Sequence, residues 1–256
     1  MRVKLTRCLT VLIACGLAGC NDPPQRSFQG WVEADFVFVA PDEAGRLETL
    51  GVREGESVIA GQPLFSVDED LVSAELRQSQ AALTNAEIAF ERAERLLKSN
   101  SGTQAAFDNT QAALREATAR VDTVKTRLAR RKIVSPVYGA VQKIYFRPGE
   151  VVPAGRPVVS LLAPANIKIR FFVPEPLLPK VTTGDRIAVE CDGCAEPIGA
   201  SVKFISGSAE YTPPVIYSLD ERAKLVFMVE AMPDQPAALR VGQPLSVKLV
   251  KQEAAR

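Results

Sequence analysis

Residues 70–131 read DLVSAELRQSQAALTNAEIAFERAERLLKSNSGTQAAFDNTQAALREATARVDTVKTRLARR. Apolar or small side chains recur at Val72, Leu76, Ser79, Leu83, Ala86, Phe90, Ala93 and Leu97. The alternating steps of 4 and 3 are the heptad rhythm of a coiled-coil seam. A second run follows at Phe107, Thr110, Leu114, Ala117, Val121, Val124 and Leu128. Between the runs lies the polar stop Ser99-Asn100-Ser101-Gly102, and Ser101-Gly102-Thr103-Gln104 fits a capping box that restarts a helix. Each arm of about 29 residues reaches roughly 43 Å at about 1.5 Å per residue. The link is too short for any arrangement but antiparallel neighbours. The stretch predicts a long helical hairpin, and such a rod needs a base.

The base shows as an internal repeat. Residues 45–67 align without gaps on 139–161 at an offset of 94, with nine of 23 pairs identical. The identities include Gly45/Gly139, Arg53/Arg147, Gly55/Gly149, Glu56/Glu150, Val58/Val152, Gly61/Gly155 and Ser66/Ser160. In each copy an apolar β stretch (47–52, then 141–146) leads to a glycine turn, a valine, a second glycine turn and another short β run. One copy is too small to bury a core, so the two are expected to pack together, with the hairpin inserted between the halves of one β-domain. The glycine turns are expected to need positive φ.

The whole chain has 256 residues, 31 basic and 30 acidic side chains, and no histidine. A net charge of +1 argues against nucleic acid as a partner. Without histidine there is no Ser-His-Asp or Cys-His catalysis and no His-based zinc site. Arg2, Lys4 and Arg7 precede an apolar run, Cys8 to Ala18, that is too short to span a bilayer. Leu17-Ala18-Gly19-Cys20 follows directly. This looks like a bacterial lipoprotein signal, in which Cys20 is acylated and becomes the mature N-terminus. The alternative is an ordinary secretory signal cleaved near Gly19. With Cys8 and Cys15 removed, Cys191-Asp192-Gly193-Cys194 remains. Asp-Gly reads as a two-residue hairpin turn with the thiols facing across it, a disulfide in an oxidising compartment. A redox-active pair or half a zinc site is the alternative, disfavoured because no βαβ context and no further ligand lie nearby.

Phe28 to Ala40 reads as strand. After the second half-motif, short β runs at 167–173, 186–191, 200–205, 225–231 and 245–250 predict a small antiparallel β-barrel. Glu175 to Lys180 reads as one helical turn.

Two half-motifs split by a helical hairpin and followed by a β-barrel resemble the periplasmic adaptors, or membrane fusion proteins, of the HlyD class. Ile167 to Glu175, Glu210 to Ser218 and Ala223 to Phe227 are similar to the branch that works with ABC-type exporters. The resemblance implies an α+β multidomain chain. A lipoprotein signal spans 1–19 and a tether 20–27. An entry strand and first biotinyl/lipoyl-like half span 28–67, and an antiparallel α-helical coiled-coil hairpin spans 68–132. The second half spans 133–162, a β-barrel 163–250 and a tail 251–256. It implies a non-enzymatic bridge between an inner-membrane exporter and a TolC-type outer-membrane channel, assembled as a homo-oligomer, expected as a hexamer. The protein is then periplasmic and lipid-anchored, most simply to the inner membrane, with no cofactor and no metal. The family's tip carries an Arg, a Leu four residues on and a Ser seven further. That spacing falls on Arg92, Leu96 and Thr103, with Thr keeping the hydroxyl. From the heptad alone, Leu96 lies beside the seam, and Arg92 one turn below it. The bland readings are a solvated Arg92, a flanking Leu96 and a Thr103 that only caps a helix. Many adaptors add a membrane-proximal domain after the barrel, which is not expected here.

Three other readings stand beside this one. An adaptor of a proton-driven RND-type pump changes the partner and not the mechanism. A biotin or lipoyl carrier needs its lysine at the turn joining the halves. Here the hairpin replaces that turn, and Lys132 reads as a helix C-terminal charge. A metal-binding chaperone fits poorly with no His and three Met.

Overall fold

The computed structural model describes residues 27–194, 196–211 and 225–250. The signal segment, Cys20, almost all of the tether, residues 212–218 of the branch-like stretch, Ala223, Lys224 and the tail lie outside the described residues. The described residues divide into two compact units, residues 34–167 and residues 27–33 with those described from 168 to 250. The first described strand, β1 (Ser27–Ala34), belongs with the second unit and is described there.

In the first unit, β2 (Val37–Val39), β3 (Gly45–Leu50), β4 (Ser57–Val58) and β5 (Pro63–Val67) precede the helices. β6 (Lys132–Val134), β7 (Gly139–Ile144), β8 (Val151–Val152) and β9 (Val159–Leu162) follow them. The strands make two four-stranded sheets, ordered β2-β9-β7-β4 and β6-β5-β3-β8. Each sheet takes two strands from before the helices and two from after them, so it draws on both copies of the repeat and neither copy can close a sheet alone. One core joins both sheets. Leu47, Val58, Leu64, Val152, Val159 and Leu161 are fully buried in it, with Phe65, Val67 and Val141 nearly so.

The identical residues of the repeat build the same turn twice. The Arg53 N–H donates to Glu56 Oε2 at 3.0 Å, and the Arg147 N–H to Glu150 Oε2 at 2.8 Å. The glycine between them is left-handed in both copies, with φ of +84° at Gly55 and +96° at Gly149. Gly61 and Gly155 form the second matched pair, at +83° and +72°. Only glycine enters this region freely, which explains why these positions repeat.

Helices α1 (Asp70–Lys98) and α2 (Gln104–Ala129) form the hairpin. All fifteen seam positions read from the sequence are buried or half-buried, the rest of each helix being largely exposed. Burial is deepest at the base, at Val72 and Ser79 on α1 and Val121 and Val124 on α2. Higher up the seam is half-buried, and there the Phe90 and Phe107 rings meet at 5.3 Å between centroids. Both ends of the hairpin are held by the sheet: β5 pairs with β6, and the Val67 N–H donates to Arg131 O at 3.0 Å.

The second unit is a closed six-stranded barrel, ordered β1-β10-β13-β12-β11-β14. Its other strands are β10 (Ile167–Pro174), β11 (Arg186–Glu190), β12 (Ile198–Tyr211), β13 (Leu225–Pro233) and β14 (Pro244–Leu249). Strict alternation in β1 and β10 turns Phe28, Val32, Ile169, Phe171 and Val173 inward. The entry strand was expected to lead into the first half-motif. Its first part instead pairs with β14 as a barrel strand, because alternate residues from Phe28 onward complete the barrel core. Residues 175–180, expected as a single helical turn, form a short 3₁₀ helix of about two turns.

Candidate functional site: the hairpin tip

The tip is assembled from five linking residues and the last turn of α1. Asn100 adopts φ +54°, the left-handed conformation that ends a helix. Its N–H donates to Leu97 O at 3.0 Å, and the Ser101 N–H donates to Leu96 O at 2.9 Å. These two bonds make a Schellman motif, with Asn where Gly is commonest. Leu96 O also accepts from the Gly102 N–H and from Ser99 Oγ, each at 3.0 Å. The link therefore folds back onto one carbonyl.

Leu96 is 44% exposed, so it lies beside the seam and offers apolar surface. Arg92 is exposed on the same stripe and makes no hydrogen bond or ion pair among the described residues. Thr103 is the N-cap of α2, its Oγ1 accepting from the Ala106 N–H at 3.2 Å. The expected capping box does not form. Ser101 Oγ donates to Ser99 O, and Gln104 Nε2 donates to Asp108 Oδ1 at 2.8 Å. The cap sits two residues later because the Schellman turn consumes Ser101. Asn100 and Gly102 were read only as a polar stop. An isolated Asn just past a periodic run was the signal for the left-handed turn.

The base of the hairpin carries a charge cluster that spacing could not reveal. Glu43, in the link before β3, meets Arg127 Nε at 3.1 Å and Arg131 Nη2 at 2.7 Å. Arg127 also reaches Glu75 Oε2 at 2.8 Å, and Arg130 reaches Asp42 at 3.4 Å. The hydrogen bond from Arg127, aided by the charges of Arg127 and Arg131, holds the Glu43 carboxyl below its usual range. A cleft of about 340 Å³ opens here, lined by Arg127, Arg130, Arg131, Asp42 and Glu43. Its guanidinium groups are already engaged by these carboxylates. Lys132 is the first residue of β6, not a helix terminus, and lies 3.5 Å from Glu69.

In the barrel unit, Cys191 and Cys194 are joined by a disulfide, with Cα atoms 5.3 Å apart. The turn differs from the expected two-residue hairpin. The flanking strands stop at Glu190 and begin again at Ile198. Within Cys191–Cys194, Gly193 alone takes a positive φ, +88°, while the Cys194 N–H donates to Cys191 O at 3.1 Å. That is a type II turn inside a longer loop. Among the described residues no group of three or more His, Cys, Asp or Glu could hold a metal ion. None of the described helices is long and apolar enough to cross a membrane.

The family model described as "RND MFP, barrel-sandwich hybrid domain" matches residues 35–163. A UPF0194 membrane protein of Acidithiobacillus ferridurans is 26% identical over 288 residues, covering 86% of this chain and 85% of its own. A UPF0194 membrane protein of Enterobacter sp. (strain 638) is 24% identical over 313 residues, covering 94% of this chain and 95% of its own. Two solved structures are similar in fold. A MacA-MexA chimeric protein containing the Pseudomonas aeruginosa MexA α-hairpin domain superposes with a TM-score of 0.70 at 18% identity, over 88% of this chain and 80% of that one. The membrane fusion protein Spr0693 from Streptococcus pneumoniae R6 gives 0.67 at 15% identity, over 89% of this chain and 99% of its own.

Proposed function

Because the chain belongs to the RND membrane fusion protein family, adaptors of efflux systems and not enzymes, we propose that it bridges an ABC-type exporter of the inner membrane to a TolC-type outer-membrane channel. The hairpin tip is the docking point, with Leu96 as apolar contact, Arg92 as a forked donor for carboxylates or carbonyls, and Thr103 as a hydroxyl. The observation that carries the reading is Leu96, 44% exposed at a tip whose backbone is fully turned back on itself. The Thr103 hydroxyl accepts the capping bond and keeps its proton for a partner.

The two half-motifs act as a lipoyl-like platform without a carried group. Such platforms are proposed to join six copies in a ring, and exposed Ile59, Tyr138 and Val151 supply apolar surface for neighbouring copies. Cys20 carries the lipid, and the protein sits in the periplasm at the inner membrane. ABC partnership rests on the sequence likeness of residues 167–175, 210–218 and 223–227. The RND description of the matched family favours a second reading, a proton-driven pump.

The test is cross-linking from a Lys98→Cys variant to the channel, with export measured in the same cells. Burying the exposed share of Leu96 is worth roughly 0.7–1.3 kcal/mol per copy, and a ring multiplies such weak contacts. Arg92→Glu and Leu96→Ser are expected to abolish both signals. Full export and cross-linking by both variants would remove the tip as the docking site. Export that stops with ATP depletion and persists when the proton gradient is collapsed supports the ABC partner; the opposite pattern supports the pump.

A further inference from the structure

We infer that Asn100 and Gly102 are positioning residues of the tip, setting where the Leu96 side chain points. The inference rests on the reading that this tip docks. Among the described residues Asn100 is the sole non-glycine with positive φ. Its conformation aims the Ser101 and Gly102 N–H groups at Leu96 O, at 2.9 and 3.0 Å. With Ser99 Oγ also donating to it at 3.0 Å, the Leu96 carbonyl has three donors and one available orientation. These bonds hold the backbone at Leu96, and with it the Cα–Cβ bond from which the side chain leaves the tip.

Gly102 acts by its size. No left-handed φ requires glycine here. A Cβ at this position would lie 3.0 Å from Leu96 Cβ, 3.0 Å from Leu97 N and 3.1 Å from Leu96 C. Two of those three atoms are backbone, which cannot swing away. A side chain at 102 therefore pushes the end of α1 away from the returning chain. Thr103 follows at once and caps α2, so one five-residue link fixes Leu96 and the Thr103 hydroxyl together. None of these residues lies on the heptad seam, so the hairpin holds when the link is altered.

The test uses the full chain carrying Lys98→Cys, co-expressed with the outer-membrane channel. Four variants are compared, Asn100→Gly, Asn100→Val, Gly102→Ala and Gly102→Val, beside Leu96→Ser. Readouts are cross-link yield, melting temperature and amide exchange at positions 101 and 102. Forcing a β-branched residue into the left-handed region disfavours the turn by roughly 5- to 30-fold. Asn100→Val is therefore expected to speed exchange at Ser101 and Gly102 by that factor. It should lower cross-linking several-fold, while Asn100→Gly retains both properties. Gly102→Val should lower cross-linking more than Gly102→Ala does, at an unchanged melting temperature. Wild-type cross-linking by Asn100→Val and Gly102→Val, with Leu96→Ser defective, overturns the positioning role and leaves docking intact. Losses that track a falling melting temperature also overturn it, because the residues are then structural. Wild-type cross-linking by Leu96→Ser overturns the docking reading and this inference with it.

Discussion

Replacing Phe107 by Ala should loosen the far half of the hairpin and leave the near half closed. The four seam residues that are almost completely buried, Val72, Ser79, Val121 and Val124, all lie toward the base. Beyond them the seam is half-buried, and there the Phe90 and Phe107 rings pack with centroids 5.3 Å apart. A fully buried Phe→Ala change costs about 3–5 kcal/mol. A half-buried one forfeits roughly half of that, plus part of the roughly 0.5–1.5 kcal/mol carried by the ring pair. The total is about 2–3 kcal/mol, or roughly 30- to 150-fold in local opening. Native-state amide exchange on the full chain reads this directly. Amides of residues 83–97 and 107–117 should lose protection by that factor, and those of 121–128 and of β3, β5 and β7 should keep theirs. Uniform loss along both helices would show that the hairpin opens as one cooperative unit and would refute the division. Unchanged exchange would show that the ring pair contributes nothing.

The base cluster should respond to acid. Glu43 titrates below its ordinary value of 4.5 because Arg127 and Arg131 engage it. A carboxyl depressed by folding contributes its full stability above the unfolded value and loses it as pH falls through the folded value. Protection at Arg131 and Val67, taken relative to the intrinsic exchange rate at each pH, is therefore expected to be flat from neutrality to about pH 5 and to fall below it, more weakly in Glu43→Gln; a fall already above pH 6 would contradict this. Gly55→Ala and Gly149→Ala should each destabilise the first unit by roughly 1–2 kcal/mol in denaturant melts, and by similar amounts, since both sit at matched left-handed turns. Sharply unequal losses would mean that the two turns are not equivalent. The disulfide closes a four-residue loop, so Cys191→Ser with Cys194→Ser should cost about 2 kcal/mol and leave export intact. A stable, abundant double variant without export would point to a thiol function.

The hairpin was legible because its signal is local and periodic. Every seam residue from Val72 to Leu128 is decided by its own spacing, and spacing survives folding. The repeat was legible for a related reason. Gly55 and Gly149, or Glu56 and Glu150, are kept where one turn is built twice. Glu43 was not legible. It is separated by 84 residues from Arg127, and nothing in a solvated-looking acid announces a distant partner. The barrel strand β1 was assigned to the wrong neighbour because alternation tells which side chains face inward and not which core receives them. The cap was displaced from Ser101 to Thr103 by competition between two local motifs, since the residue whose N–H donates the Schellman bond cannot also begin the next helix.

Both feet of the hairpin are tied at one place. Val67 bonds to Arg131, and β5 runs beside β6. The length of the arms is therefore decoupled from everything beneath them. Adding seven residues to each arm at the same height would lift the tip by about 10 Å and return every side chain to its stripe. Adding them to one arm alone would shift one helix against the other and carry Leu96 away from Thr103. Evolution can thus tailor the distance this strut spans in steps of one heptad, leaving its footing and its contact end unchanged.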